Sequence, residues 1–192
     1  MKPSIILATI GFALGTSIAA IHAQTPAPTA PAAAAKLAEQ RIAVDAQRSK
    51  KSRIEGGDAD DRLDRITFNV KLTNNDTKVT FEECKSEFYV LAQSIINRNA
   101  YQVLGVTPSS FSLPPRGTHS FATDEVVTKW DKTDARFGSQ YHAWVLVIRD
   151  KTGGILLKKT SVPAWLAIAD KVGAMGTGQY FDRTLKPIQS LR

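Results

Sequence analysis

The sequence contains few of the residues from which reactive sites are usually built. Among its 192 residues there are one Cys, three His and two Met. Cys84 has no partner for a disulfide within its own chain, so we expect a buried, inert thiol, with pairing between chains as the alternative. His22, His119 and His142 are too scattered, relative to one another and to Cys84, for a metal site. The sequence therefore predicts no metal and no cofactor.

Catalytic motifs are also scarce. There is no Gly-x-Ser-x-Gly elbow, and Glu82 and Glu83 are adjacent, which places them on opposite faces of a strand. The glycines of residues 173–178 follow a predicted helix, whereas a dinucleotide-binding loop follows a strand and opens a helix. His119 and His142 could meet across two sheets near an Asp and a Ser, which leaves an exported hydrolase as a minor alternative. The main expectation is a protein that is not an enzyme.

The first 23 residues have the pattern of a secretory signal peptide. Lys2 precedes an apolar run over residues 5–20, and Ala23 ends the segment. An uncleaved N-terminal anchor is the alternative. No later apolar run is long enough to cross a bilayer, so we expect no membrane span after cleavage. The predicted location is exported, either periplasmic or at the cell surface.

Residues 24–61 are predicted to be a linker followed by a marginal basic helix. Residues 24–35 are Pro, Ala, Thr and Gln without charge, a composition that cannot bury enough surface to fold. Residues 36–54 contain good helix formers and a thin apolar stripe. The acidic residues 58–61 lack the turn Gly and the closing Glu of a calcium loop, so we interpret them as a solvated segment.

The positive charge is concentrated in the C-terminal two thirds of the chain. Without Lys2, 24 basic and 18 acidic residues give a net charge of +6, and residues 65–192 hold 17 of these basic and 11 of these acidic residues. A basic surface favours acidic partners. Nucleic acid is not expected, because the basic residues are not interleaved with aromatic ones and the protein is predicted to be exported.

Residues 62–192 are predicted to form one all-β domain. Ile66, Phe68, Val70 and Leu72 alternate with polar residues, which indicates a strand with one buried face. About seven such strands without alternating helices favour an immunoglobulin-like antiparallel β-sandwich, with a small closed barrel as the alternative. One of these strands spans residues 101–106 and is expected to end at Pro108. A short helix is predicted over residues 164–175, within a C-terminal extension.

One predicted strand, residues 141–148, is apolar on both faces. Strict alternation places Tyr141 and Ala143 on one face and His142 and Trp144 on the other. The strand over residues 87–96 shows the same pattern. We therefore expect a second apolar face, covered by another segment or facing a partner, that contains Trp144, Leu146, Ile148, Tyr89 and Leu91. The nearest covering segment is the C-terminal one, with Trp165, Leu166, Ile168, Val172, Tyr180 and Phe181. A partner chain or a second copy is the alternative.

Trp130 is expected to be an exposed aromatic residue, because it lies between Lys129 and Asp131. An exposed ring suits stacking on a sugar. With the basic surface, this makes a module that binds acidic glycans the alternative function.

The segment FGSQYHAWVLVIRDKTGGILLKKTSVPAWL (residues 137–166) and the extended FSLPPRG (residues 111–117) resemble exported immunoglobulin-like proteins of gut bacteria found with type IV pilus-like assembly components. The resemblance covers residues 62–170. It implies a structural or interaction role in a periplasmic or surface assembly, with a protein partner and no catalytic residue. Because a pilin-type N-terminus is lacking, it further implies an accessory protein and not a pilin.

Overall fold

A computed structural model describes residues 32–54, 61–133 and 137–191 of the chain. The predicted signal peptide, the uncharged linker up to residue 31 and residues 55–60, which include most of the predicted acidic segment 58–61, lie outside these ranges. Within the described ranges the chain forms one α-helix and nine strands, together with a 3-10 helix, Pro163–Ala174, near the C-terminus. In chain order they are α1 (Ala32–Arg41), β1 (Ile42–Ile54), β2 (Asp61–Asn74), β3 (Phe81–Ser94), β4 (Tyr101–Leu113), β5 (Thr118–Ala122), β6 (Val126–Asp131), β7 (Ser139–Arg149), β8 (Ile155–Thr160) and β9 (Tyr180–Phe181).

The strands form two antiparallel sheets packed as a sandwich, which confirms the predicted fold class. In the first sheet β1 pairs with β2, and β5 and β6 pair with successive parts of the other edge of β2. The second sheet has the order β8-β7-β3-β4-β9. Ile66, Phe68, Val70 and Leu72 are all buried between the sheets, as their alternation predicts. The rings of Phe68 and Phe88, 5.2 Å apart, join the two sheets at the centre.

The predicted helix over residues 36–54 is wrong beyond Arg41. From Ile42 onward the chain is β1, paired with β2 along its whole length from Ile42 opposite Asn74 to Ile54 opposite Arg62. Residues 42, 44 and 46 are apolar and alternate toward the core, a pattern that suits a strand as well as a thin helical stripe. Pairing with β2 therefore overrides a weak helix propensity, and the sandwich begins before residue 62.

The predicted strand end at Pro108 is also wrong, because β4 continues to Leu113. Pro108 lies opposite Glu87 of β3 in the ladder. On its other side β4 pairs with β9 only at Tyr101 and Gln102. Pro108 therefore lies where β4 has a single neighbouring strand, the position in a sheet where a missing N–H is tolerated.

A β-bulge near the start of β7 changes the predicted faces of that strand. Leu91 lies opposite Ala143, but the next residue of β3, Ala92, lies opposite Tyr141, so His142 is the extra residue. As a result Tyr141 packs between the sheets, its ring 5.7 Å from that of Phe68. His142 lies on the outer face of the sheet instead. Strict alternation had assigned these two side chains the other way round.

Candidate functional site

The five residues predicted to share one apolar face lie on two faces. Trp144, Leu146 and Ile148 point between the two sheets, where Trp144 stacks on Phe88 at 5.5 Å. Tyr89 and Leu91 lie on the outer face of the five-stranded sheet with residues 143, 145 and 147. The prediction of a single face is therefore wrong, because the register of β3 against β7 sets Tyr89 opposite Val145 and not opposite Leu146.

The C-terminal cover, which we define as the 3-10 helix and β9, packs on this outer face, so the prediction that this segment covers an apolar face is confirmed. Trp165 is 1% exposed, and its ring meets Tyr101 edge to face at 4.9 Å. Val172 and Phe181 are buried in the same cluster. Leu166 is an exception, because 41% of its surface is exposed. The apolar face is thus occupied by the chain's own segment.

Trp130 was predicted to be exposed, but it is half-buried, because its indole is anchored to a buried carboxylate. Nε1 of Trp130 donates to Oδ2 of Asp64 at 3.1 Å. Ser52 Oγ donates to Oδ1 of Asp64 at 2.6 Å, and Lys50 Nζ lies 2.8 Å from Oδ2. Burial alone would raise the pKa of Asp64, but the hydrogen bonds from Lys50, Ser52 and Trp130 outweigh it and the pKa is lowered. The carboxylate therefore stays charged and fixes the orientation of the indole.

A cleft of about 420 Å³ opens beside Trp130 at the end of the sandwich. It is bounded by the β3–β4 turn, the end of β6 and the start of β7. Its walls are mostly polar and combine two aromatic rings, two exposed cations and two amide side chains. The lining residues are Gln93, Ser94, Ile95, Arg98, Trp130, Asp131, Lys132, Gln140 and Tyr141.

The β3–β4 turn that presents Arg98 is ordered by its own hydrogen bonds. Ser94 Oγ accepts from the backbone N–H groups of Ile96 and Asn97, at 3.2 and 3.3 Å. Gln93 Nε2 donates to the carbonyl oxygen of Arg98 at 2.5 Å. The backbone of the turn is also tied to the residue that precedes β7, since Ile95 N donates to Gly138 O. Arg98 therefore projects from a fixed backbone.

Tyr141 forms the wall of the cleft on the β7 side, where the bulge has turned it inward. The guanidinium carbon of Arg48, on β1, lies 4.7 Å from the centre of its ring, a cation–π distance. Burial raises the pKa of the Tyr141 phenol, against smaller opposing effects of a hydrogen bond with Ser161 and the charge of Arg48. The phenol is therefore neutral at physiological pH. Of the residues around the cleft, only Trp130 was proposed from the sequence as a binding residue, because the others come from segments far apart in the chain and share no motif.

The far half of β1 is a basic edge. Residues 47–54 include four basic and no acidic residues, and all eight are exposed. Arg48 and Lys50 point to the sandwich side, where they meet Tyr141 and Asp64. Because side chains alternate along a strand, Ser49 and Lys51 point to the opposite, outer side.

The two histidines of the domain lie far apart in the fold. His119 Nε2 lies 2.8 Å from Ser109 Oγ, and its ring stacks on Phe111 at 4.7 Å. Burial lowers the pKa of His119, and no carboxylate in the described part of the chain is hydrogen-bonded to it. The pair joins β4 of one sheet to β5 of the other. His142 instead lies under the C-terminal cover, its ring 5.0 Å from that of Tyr101.

Cys84 is fully buried between the sheets, as predicted. Burial, with a smaller effect of Asp150, raises the pKa of its thiol to about 11. Within residues 32–54, 61–133 and 137–191, no three His, Cys, Asp or Glu side chains converge on a point where a metal ion could bind. The same ranges contain no helix with the length and apolar character needed to cross a membrane.

Comparisons with known proteins place the chain in no family. No family model matches it, and no curated protein sequence does. Several solved structures are similar to it in part, including these three. A structural-genomics target is 10% identical with a TM-score of 0.36, over 65% of this chain and 89% of the other. A β-glucuronidase 2 of Bacteroides uniformis is 10% identical with a TM-score of 0.37, over 75% of this chain and 13% of the enzyme.

The third is the crystal structure of a protein from Akkermansia muciniphila, 11% identical with a TM-score of 0.34, over 76% of this chain and 85% of the other. All three TM-scores are below 0.5, so these similarities give no information on what this chain does.

Proposed function

We propose that this chain is an exported, non-enzymatic protein that binds a partner protein in an envelope or pilus-like surface assembly, and that the partner adds an extended segment to the outer edge of β1. One observation carries the proposal: β1 is a long, exposed and strongly basic edge strand. The signal-like N-terminal sequence supports export.

The position of β1 in the sheet makes it suitable for strand addition. Its 13 residues pair with β2 on one side, and no other described strand pairs with its second side. Such an edge leaves a row of backbone N–H and C=O groups for another strand. The two edge strands of the second sheet are less suited to strand addition, because β8 packs against α1 and β9 has only two residues.

Charge selects the kind of partner. The four basic residues within 47–54 would repel those of a second copy paired along the same edge, which disfavours a homodimer there. An extended segment that carries Asp or Glu would be attracted instead. Lys51 is the suitable residue to test, because it is exposed on the outer side and forms no ion pair within the described residues.

Site-specific cross-linking in the producing cells tests the proposal. A photoreactive residue placed at Ser49 should give one adduct of defined mass, and Lys51→Glu should abolish it. The matched controls are a photoreactive residue at Lys78, exposed in the loop before β3, and the charge reversal Lys78→Glu. The control site should give no such adduct and the control reversal should leave the Ser49 adduct intact. An adduct that survives Lys51→Glu, or that forms equally from both sites, would rule out β1 as the docking edge.

A further inference from the structure

We infer that the cleft between Trp130 and the β3–β4 turn binds a saccharide that carries a carboxylate, at a site separate from the docking edge of β1. The inference rests on the shape of the cleft, on its aromatic walls and on its two cations. At about 420 Å³, the cleft is within the range of about 300–1,000 Å³ that small-molecule sites occupy.

Two aromatic side chains, Trp130 and Tyr141, line the cleft. The only polar atom of the Trp130 side chain is engaged by Asp64, so what the indole offers to the cleft is its apolar surface. The hydrogen bond also fixes the ring, so little conformational freedom is lost when a ligand stacks on it. Tyr141 forms a second aromatic wall, with the Phe68 ring 5.7 Å away and the guanidinium of Arg48 over one face of its own ring. The apolar surface of the Trp130 indole complements the C–H face of a pyranose ring.

The cations select a negatively charged ligand. Arg98 and Lys132 are both exposed, and neither forms an ion pair within the described residues. Asp131 also lines the cleft, but it is 1% exposed and its Oδ1 accepts a hydrogen bond from the backbone of Thr133. Among the described lining residues, the exposed charge that a ligand meets is therefore positive. A guanidinium on an ordered turn suits a carboxylate, because it can donate two parallel hydrogen bonds.

The remaining polar group suits sugar hydroxyls. Gln140 is half-buried at the start of β7, and its amide has no hydrogen-bond partner among the described residues. An amide both donates and accepts, which matches a hydroxyl group in either role. Aromatic faces, two cations and a free amide in one cleft together fit an acidic saccharide better than a neutral sugar or a simple anion.

Isothermal titration calorimetry with the purified full-length protein tests the inference. The probes are tetragalacturonate, a hyaluronan tetrasaccharide and sialyllactose, and the matched neutral probe is fully methyl-esterified tetragalacturonate. We expect at least one acidic probe to bind. If tetragalacturonate is the probe that binds, its ester should bind at least about tenfold more weakly, because the charge-assisted hydrogen bonds are lost.

Variants distinguish binding in this cleft from a general electrostatic attraction of acidic probes to a basic protein. Arg98→Gln should weaken binding about tenfold, whereas Lys151→Gln, in the exposed β7–β8 turn at the opposite end of the sandwich, should leave it unchanged. Trp130→Ala should abolish binding, and Trp130→Phe, which keeps a ring face, should retain most of it. The inference is overturned if none of the acidic probes binds, if the ester binds as well as the acid, or if Lys151→Gln weakens binding as much as Arg98→Gln does.

Discussion

Removal of the Trp165 side chain should uncover the outer face of the five-stranded sheet. The indole is 1% exposed and packs against Tyr101, His142 and Phe181, at ring distances of 4.9, 6.1 and 6.2 Å. Truncation of a buried Trp to Ala costs about 3–5 kcal/mol. At about 2–4 °C for each kcal/mol in a domain of this size, Trp165→Ala should lower the Tm by roughly 10 °C.

A second variant at the same position tests the cause of that loss. Nε1 of Trp165 is buried without a hydrogen-bond partner among the described residues. Trp165→Phe removes this unsatisfied donor while it keeps most of the apolar contact, so it should cost only about 1 kcal/mol. The control is Leu166→Ala on the same helix, where the side chain is 41% exposed and the change should cost about 0.5 kcal/mol.

Thermal and urea unfolding, with the binding of an apolar dye, measure these effects. Trp165→Ala should bind the dye at temperatures where the parent protein does not, because Tyr89 and Leu91 lose their cover. Equal stability of Trp165→Ala and Leu166→Ala would refute the view that the C-terminal cover is required to bury this face.

Three further predictions concern the core and the cleft. The folded pKa of Asp64 is lowered, so its contribution to stability is present above the unfolded pKa of about 3.9 and is lost as the pH falls through the lower folded value. Urea unfolding below about pH 4 should therefore show a smaller loss of unfolding free energy in Asp64→Asn than in the parent protein, and equal losses would contradict this. Cys84→Ser should leave a folded monomer that is roughly 1–2 kcal/mol less stable. The thiol of the parent protein should react with a thiol reagent only on unfolding, since it is fully buried, and rapid reaction of the native protein would disprove its burial. Gly138 has a φ of +102° and a Cβ there would lie 2.1 Å from Lys129 O, whereas Gly178 has a φ of +81° and open space around it. In thermal unfolding, Gly178→Ala should cost roughly 1–2 kcal/mol of backbone strain, and Gly138→Ala should cost well over that amount. Similar costs for the two variants would contradict the close contact at Gly138.

Local patterning was sufficient to predict much of the fold. The alternation from Ile66 to Leu72 identifies β2 and its buried face, because burial on one side of a sheet imposes a period of two. The C-terminal cover was predictable for a related reason. Strands that are apolar on both faces need a layer on each side, and the segment that begins at Pro163 is the nearest one with enough large apolar residues.

The errors arose where tertiary contacts override local preference. Residues 42–54 form a strand because β2 offers a partner along their whole length, and the short apolar alternation of residues 42, 44 and 46 does not by itself distinguish a strand from a helix. The bulge at His142 exchanges the faces of two neighbouring residues, and it depends on the register against β3. The cleft unites Gln93, Trp130 and Gln140, from three segments, and only the folded register brings them together.

The C-terminal cover makes the five-stranded sheet the middle of three layers. Its central strands β3 and β7 have a strand on each side and packed side chains above and below. Amide hydrogens in these two strands should therefore exchange with deuterium only through global unfolding, while those of β1, at an exposed edge, exchange through local opening. The molecule thus combines a slowly exchanging interior with a margin at β1 that exchanges more readily, and the amides of β1 are the ones whose exchange an added partner strand should slow.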